Sequence, residues 1–167
     1  MRAVSGVLAL VMAAGAAAQA VNCTVPAKPI SSSTAFTLLN GTGTTLGALA
    51  GKATLFDNQE PGSNDEIMNT LKYVRPGSGF TPAFPLTQKL DVNGLSAHSF
   101  WSTARSVCPS PSGVYLLQFY PWTPVTTTDV AWNFEKVLLD VNLRPIRRYA
   151  STAAFSTIEA DLKWLLG

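Results

Sequence analysis

The chain has 167 residues, 47% of them hydrophobic, with 12 Lys plus Arg against 10 Asp plus Glu for a net charge of +2. That length suits one domain with a core of its own and gives no reason to expect a second. The basic residues are scattered rather than gathered in a stripe, which argues against a nucleic-acid surface, and 2 cysteines with 1 histidine are too few for a thiolate metal site.

Residues 1–20, MRAVSGVLALVMAAGAAAQA, begin with the positive charge of Arg2, run through apolar and small residues, and end on Ala18-Gln19-Ala20. This is the pattern of a secretory signal with a small-x-small cleavage site, so cleavage after Ala20 is expected; the competing reading is an alanine-rich helix. The run is short for a membrane span, and no later stretch is long and apolar enough for one. A secreted, extracellular product with no membrane partner is therefore expected. In that compartment Cys23 and Cys108 could pair, and Asn22-Cys23-Thr24 and Asn40-Gly41-Thr42 become glycosylation candidates at Asn22 and Asn40.

Residues 21–34 read as an extended lead-in. Residues 35–39 (AFTLL) read as a short strand ended by the turn Asn40-Gly41. A second apolar run, Ala53-Thr54-Leu55-Phe56, stops after four residues, short for a central strand. Ser63 or Asn64, with Glu66 following, predicts a capping box and a helix over 65–73. The RPGSGFTPAF stretch, 75–84, is too rich in Gly and Pro for helix or central strand. Residues 86–92 look strand-like up to Asn93-Gly94, and 97–104 look helical. The aromatic segment 114–130 carries Pro121 and Pro124; residues 130–141 predict a buried strand and 145–149 (PIRRY) its hairpin partner. Ile158, Leu162 and Leu165 form the stripe of a packed C-terminal helix over 157–166. Together these elements predict an α/β domain.

The segments QEPGSN (59–64), LKYVRPGSGF (71–80) with TPAF (81–84), KLDVNG (89–94), WNFEKV (132–137) and PIRRY (145–149) resemble successive pieces of the glutathione peroxidase family, in the family's order. The VRPGSGF loop resembles the tetrameric animal branch, and the signal-like start plus Cys108 resembles its secreted, plasma-type, selenium-dependent members. The resemblance implies an α/β, thioredoxin-like fold over a domain at 35–167. It also implies reduction of hydrogen peroxide and organic hydroperoxides by glutathione or another thiol, and a homotetramer. No bound cofactor is implied. The redox group is a selenocysteine or cysteine at a strand-to-helix turn, kept anionic by the helix N-terminus and nearby donors.

Trp132 and Asn133 match the supporting Trp and Asn of that site, although composition alone would read them as a core side chain and a local backbone partner. Arg75, Arg147 and Arg148 match arginines that hold glutathione's carboxylates, a task suited to the planar guanidinium; ordinary solvated arginines are the alternative.

The family places a strand, the redox turn, a helix and a further strand between the parts matched by 51–56 and 59–64. Here only Asp57-Asn58 lies between them. Neither Cys23 nor Cys108 matches the catalytic position, and Gln59 reads as a later, non-catalytic glutamine. The selenocysteine expected in the full-length form is thus absent, and this chain is expected to be inactive and poorly soluble, with apolar faces and strand edges uncovered. A selenocysteine codon read as stop would explain such a loss as a gene-model truncation; a spliced isoform or decayed paralogue would explain it equally. The competing functional readings are a catalytically dead secreted relative with a structural or binding role, and a binding module using Phe119, Tyr120 and Trp122.

Overall fold

The computed structural model describes residues 19–24, 28–49, 54–55, 62–74, 77–112 and 120–167. Expectations for the leader before residue 19, the Asp57-Asn58 junction, Arg75 and Phe119 lie outside those residues.

The strands are β1 (Ala20–Asn22), β2 (Ala35–Thr37), β3 (Gly43–Thr45), β4 (Thr54–Leu55), β5 (Lys136–Leu139) and β6 (Pro145–Tyr149); the helices are α1 (Asn64–Tyr73), α2 (Ser99–Val107) and α3 (Phe155–Leu166). Four strands form an open antiparallel sheet in the order β1-β6-β5-β4, and β2 and β3 form a separate hairpin. The lead-in is therefore not merely extended. Ala20 pairs with Tyr149, so the sheet begins at the residue after which cleavage is expected.

Alternation along β5 sends Val137 and Leu138 to opposite faces of the sheet. Val137 joins Phe36, Leu46, Phe100, Trp101 and Ala104, which sandwiches the first core between the sheet, the hairpin and α2. Leu138 joins Tyr149 and Ala153, with Ile158, Leu162 and Leu165 of α3 packed on them. The C-terminal stripe thus packs as its spacing predicts, and the sheet lies between α2 and α3. Burying each such aliphatic or aromatic side chain contributes about 1.5–3 kcal/mol.

Local signals explain the helix starts. Ser63 is the N-cap of α1, and Glu66 reaches back to accept its backbone N–H at 2.7 Å. That bond is the main reason the Glu66 carboxyl lies below its ordinary value. His98 caps α2: Nδ1 accepts the Phe100 N–H at 3.3 Å, which leaves Nε2–H to donate to the Ala35 carbonyl at 2.9 Å. The lone histidine therefore ties α2 to the hairpin.

Two expected strands are shorter than predicted. Within 86–92 only a single bridge forms, Thr87 with Leu38, beside two backbone bonds to the hairpin. The 130–141 strand exists only as Lys136–Leu139. Phe134 takes a φ of +56°, incompatible with a continuing strand, and residues 132–134 turn. Among the described residues no helix is long and apolar enough to cross a membrane.

Candidate functional site

The turn that interrupts 130–141 carries Trp132 and Asn133. Apolar periodicity alone would have continued the strand through it; what stops the strand is a set of buried polar groups. Asn93 clasps Val130 from both sides, donating from Nδ2 to its carbonyl at 2.8 Å and accepting its N–H on Oδ1 at 2.9 Å. Glu135, fully buried, curls back so that Oε1 accepts the N–H of Ala131 at 2.8 Å and that of Trp132 at 3.4 Å. Its other oxygen, Oε2, accepts from Nε and Nη2 of Arg148, each at 2.8 Å.

Arg148 is 1% exposed. Beyond Glu135 it donates from Nη1 to the carbonyls of Cys108 (3.2 Å) and Thr128 (2.7 Å) and from Nη2 to that of Asp129 (2.8 Å). One guanidinium thus joins the end of α2, the loop before the turn, and the carboxylate inside the turn. A buried ion pair is tolerated only when its remaining donors are satisfied in this way. Asp129, also fully buried, extends the brace: it ion-pairs with Arg105 of α2 and accepts from Trp122 Nε1 at 2.8 Å and from the N–H and hydroxyl of Thr126 at 3.0 and 2.7 Å. Trp122, a candidate recognition aromatic by sequence, is an anchor of this loop. On the brace sits an exposed surface, with Trp132 54% accessible and Asn133 half-buried.

This geometry corrects the expectation for Arg148, whose donors are occupied inside the fold and leave nothing for a substrate carboxylate. Nor do the adjacent arginines converge. Strand alternation puts Arg147 on the other face, where Nε donates to Asn22 Oδ1 at 3.1 Å and Nη1 pairs with Asp161 of α3. Tyr149, on the same face, donates its hydroxyl to the second Asp161 oxygen at 2.7 Å. The bond to Asp161 raises the Arg147 pKa, and burial first, then the same carboxylate, raises that of the Tyr149 phenol. Burial alone would raise the Asp161 carboxyl, but the bonds from Arg147 and Tyr149 together outweigh it and hold it below its ordinary value. Arg147 and Asp161 line a cleft of about 530 Å³ with Asn22, Cys23, Ile146 and Trp164.

Cys23 and Cys108 are joined in a disulfide that spans 85 residues and fastens β1 to the end of α2. They are the only cysteines of the chain, so it carries no free thiol in this state. Sequence reasoning missed Glu135, Asn93 and Asp129 as positioning residues. The available signal was an acid set inside the apolar run VAWNFEKVLL, where burial demands a partner.

Comparison with known proteins gives these features a context. The family model for glutathione peroxidase matches residues 39–105. Glutathione peroxidase 1 of Mus musculus is 44% identical over 116 residues, covering 66% of this chain and 58% of that protein. Glutathione peroxidase 2 of Pongo pygmaeus is 45% identical over 116 residues, covering 66% of this chain and 61% of that protein. The chain therefore spans about three fifths of the length of these relatives. The crystal structure of T. cruzi GPX1 superposes with a TM-score of 0.51 at 23% identity, covering 80% of this chain and 94% of that one, and shares the fold. The chain is thus similar to glutathione peroxidases over residues 39–105 and over the 116 residues shared with these relatives, and it has the α/β, thioredoxin-like fold of the T. cruzi GPX1 structure.

Proposed function

We propose that the full-length form of this protein reduces hydrogen peroxide and organic hydroperoxides with glutathione or another thiol, in the response to oxidative stress, and that the chain described here is catalytically inactive. The observation that carries this reading is the braced turn. Trp132 and Asn133, which match the family's supporting residues, are presented at the surface by buried groups whose polar atoms are spent holding that turn. An indole N–H and an amide N–H fixed in place can donate to a developing anion without reorganising, the kind of contribution that makes such donors effective.

The residues present do not supply the nucleophile. Peroxide reduction needs a thiolate or selenolate, and both cysteines are consumed in one disulfide. In the full-length form the missing unit between Phe56 and Gln59 would bring a selenocysteine. Arg75 and Arg147 remain the proposed contacts for the thiol substrate's carboxylates, Arg147 from the cleft on its own face of the sheet and in exchange for its bond to Asp161. Secretion and a homotetrameric assembly belong to the same reading. The second reading, a catalytically dead secreted relative that binds rather than reacts, is favoured by the apolar side chains that α3 leaves exposed, Phe155, Trp164 and Leu166.

The test is restoration. The genomic segment between the codons for Phe56 and Gln59 is read and, if it encodes a strand, turn and helix, reinserted. Peroxide consumption coupled to glutathione oxidation should then appear, and Trp132→Phe should lower its kcat by roughly 100-fold. A genomic segment encoding no such unit, or a restored chain without turnover, would overturn the proposal in favour of the binding role.

A further inference from the structure

The two glycosylation sequences lie in very different places, and we infer that Asn40 carries an N-linked glycan while Asn22 does not. The inference rests on the secretory reading above. Asn40 sits at the outer end of the β2–β3 hairpin and is exposed together with Gly41 and Thr42. Its Oδ1 accepts the Thr42 N–H at 3.0 Å, while Gly41, with a φ of +83°, closes the turn. The turn uses only the amide oxygen, which a glycosylated asparagine keeps. The surroundings are open: a Cβ placed on Gly41 or Gly43 would meet nothing within 4 Å. Asn40 also stands at the lip of a groove of about 460 Å³ between the hairpin and α1, so the first sugar has room.

Asn22 is exposed, but its backbone and side chain are both engaged at the edge of the sheet. It lies in β1 paired with Arg147, whose Nε donates to its Oδ1. The middle residue of its sequence, Cys23, is buried in the disulfide, and the Thr24 N–H donates to the Val107 carbonyl at 2.7 Å. Once the disulfide and strand form, the transferase has no free Asn-x-Thr segment to grip.

The co-reactant is an oligosaccharide carried on a lipid pyrophosphate. Asn40 Nδ2 forms a bond to the anomeric carbon, the bond from that carbon to the pyrophosphate oxygen breaks, the lipid pyrophosphate leaves, and Nδ2 gives up one proton. No oxidation state changes.

The full chain is expressed in a secretory animal cell line in two forms, one with its own N-terminus and one with an added secretory leader. Intact mass is read before and after peptide-N-glycosidase. With the leader, we expect one glycan, retained in Asn22→Gln and wholly lost in both Asn40→Gln and Thr42→Ala; the second of these keeps the Asn40 side chain and so guards against a folding effect. Entry into the secretory pathway with Asn40 unmodified, or a glycan on Asn22 alone, would overturn the inference. A glycan on Asn40 only when the leader is added would uphold the site and refute the chain's own secretory signal.

Discussion

Replacing Arg148 by Met keeps the bulk of the side chain and removes its charge and all its donors. The Glu135 carboxylate, with no exposed surface, would be left facing an apolar group, and the carbonyls of Cys108, Thr128 and Asp129 would each lose a bond. Removing one partner of a buried ion pair costs about 3–5 kcal/mol, and the stranded carbonyls act within that range rather than adding to it in full. For a chain of this size each kcal/mol lowers Tm by about 2–4 °C, so a loss of roughly 6–20 °C is expected. The assay is urea unfolding at low protein concentration, followed by tryptophan fluorescence, with acrylamide quenching to report whether the turn around Trp132 has opened. Adding Glu135→Leu should recover part of the loss by removing the stranded charge, while the Ala131 and Trp132 N–H groups stay unsatisfied. An Arg148→Met cost under about 1 kcal/mol, or strict additivity of the two substitutions, would show that Arg148 and Glu135 do not act as a unit.

Asp161 has a folded-state pKa below its ordinary value of 3.8, so its contribution is fully present above that value and is lost as pH falls through it and below. Acid unfolding of Asp161→Asn, compared with the parent by circular dichroism, should show a weaker loss of stability across that window; an unchanged profile would separate Asp161 from acid stability. Gly77 has a φ of +58°, and a Cβ there would lie 2.7 Å from the Tyr73 carbonyl carbon, so Gly77→Ala should destabilise the loop after α1 by more than about 1 kcal/mol. A melt unchanged from the parent would contradict this. Phe155, Trp164 and Leu166 are 75–78% exposed along α3, so the chain should associate or precipitate at micromolar concentration in light scattering. A monodisperse, soluble monomer with a cooperative melt would refute the expectation of poor solubility.

Much of the fold was legible because it is written in local signals. Ser63 and Glu66 mark the start of α1, and Ile158, Leu162 and Leu165 mark the half-buried side of α3 that packs on the sheet. The separation of Arg147 from Arg148 was legible too, since neighbours in a strand face opposite ways, but the motif match drew them together. The end of β5 was not legible. It depends on Glu135 turning inward to meet an arginine 13 residues away and on Asn93 reaching 37 residues to Val130, and no window of periodicity contains those partners. Cys23 and Cys108 could be matched as a possible pair, but what brings their backbones together is long-range: β1 pairs with β6, and the Thr24 N–H then reaches the Val107 carbonyl at the end of α2.

The central proposal is that this chain keeps a glutathione peroxidase-like scaffold without the nucleophile. Its most direct test is peroxide consumption by the purified chain, with glutathione oxidation measured in parallel and glutathione peroxidase 1 as the positive control. The account predicts no thiol-dependent turnover above the uncatalysed rate. Saturable, glutathione-dependent turnover by the chain alone would mean that Cys23 or Cys108 can act as the redox group and that the assignment of the missing centre is wrong.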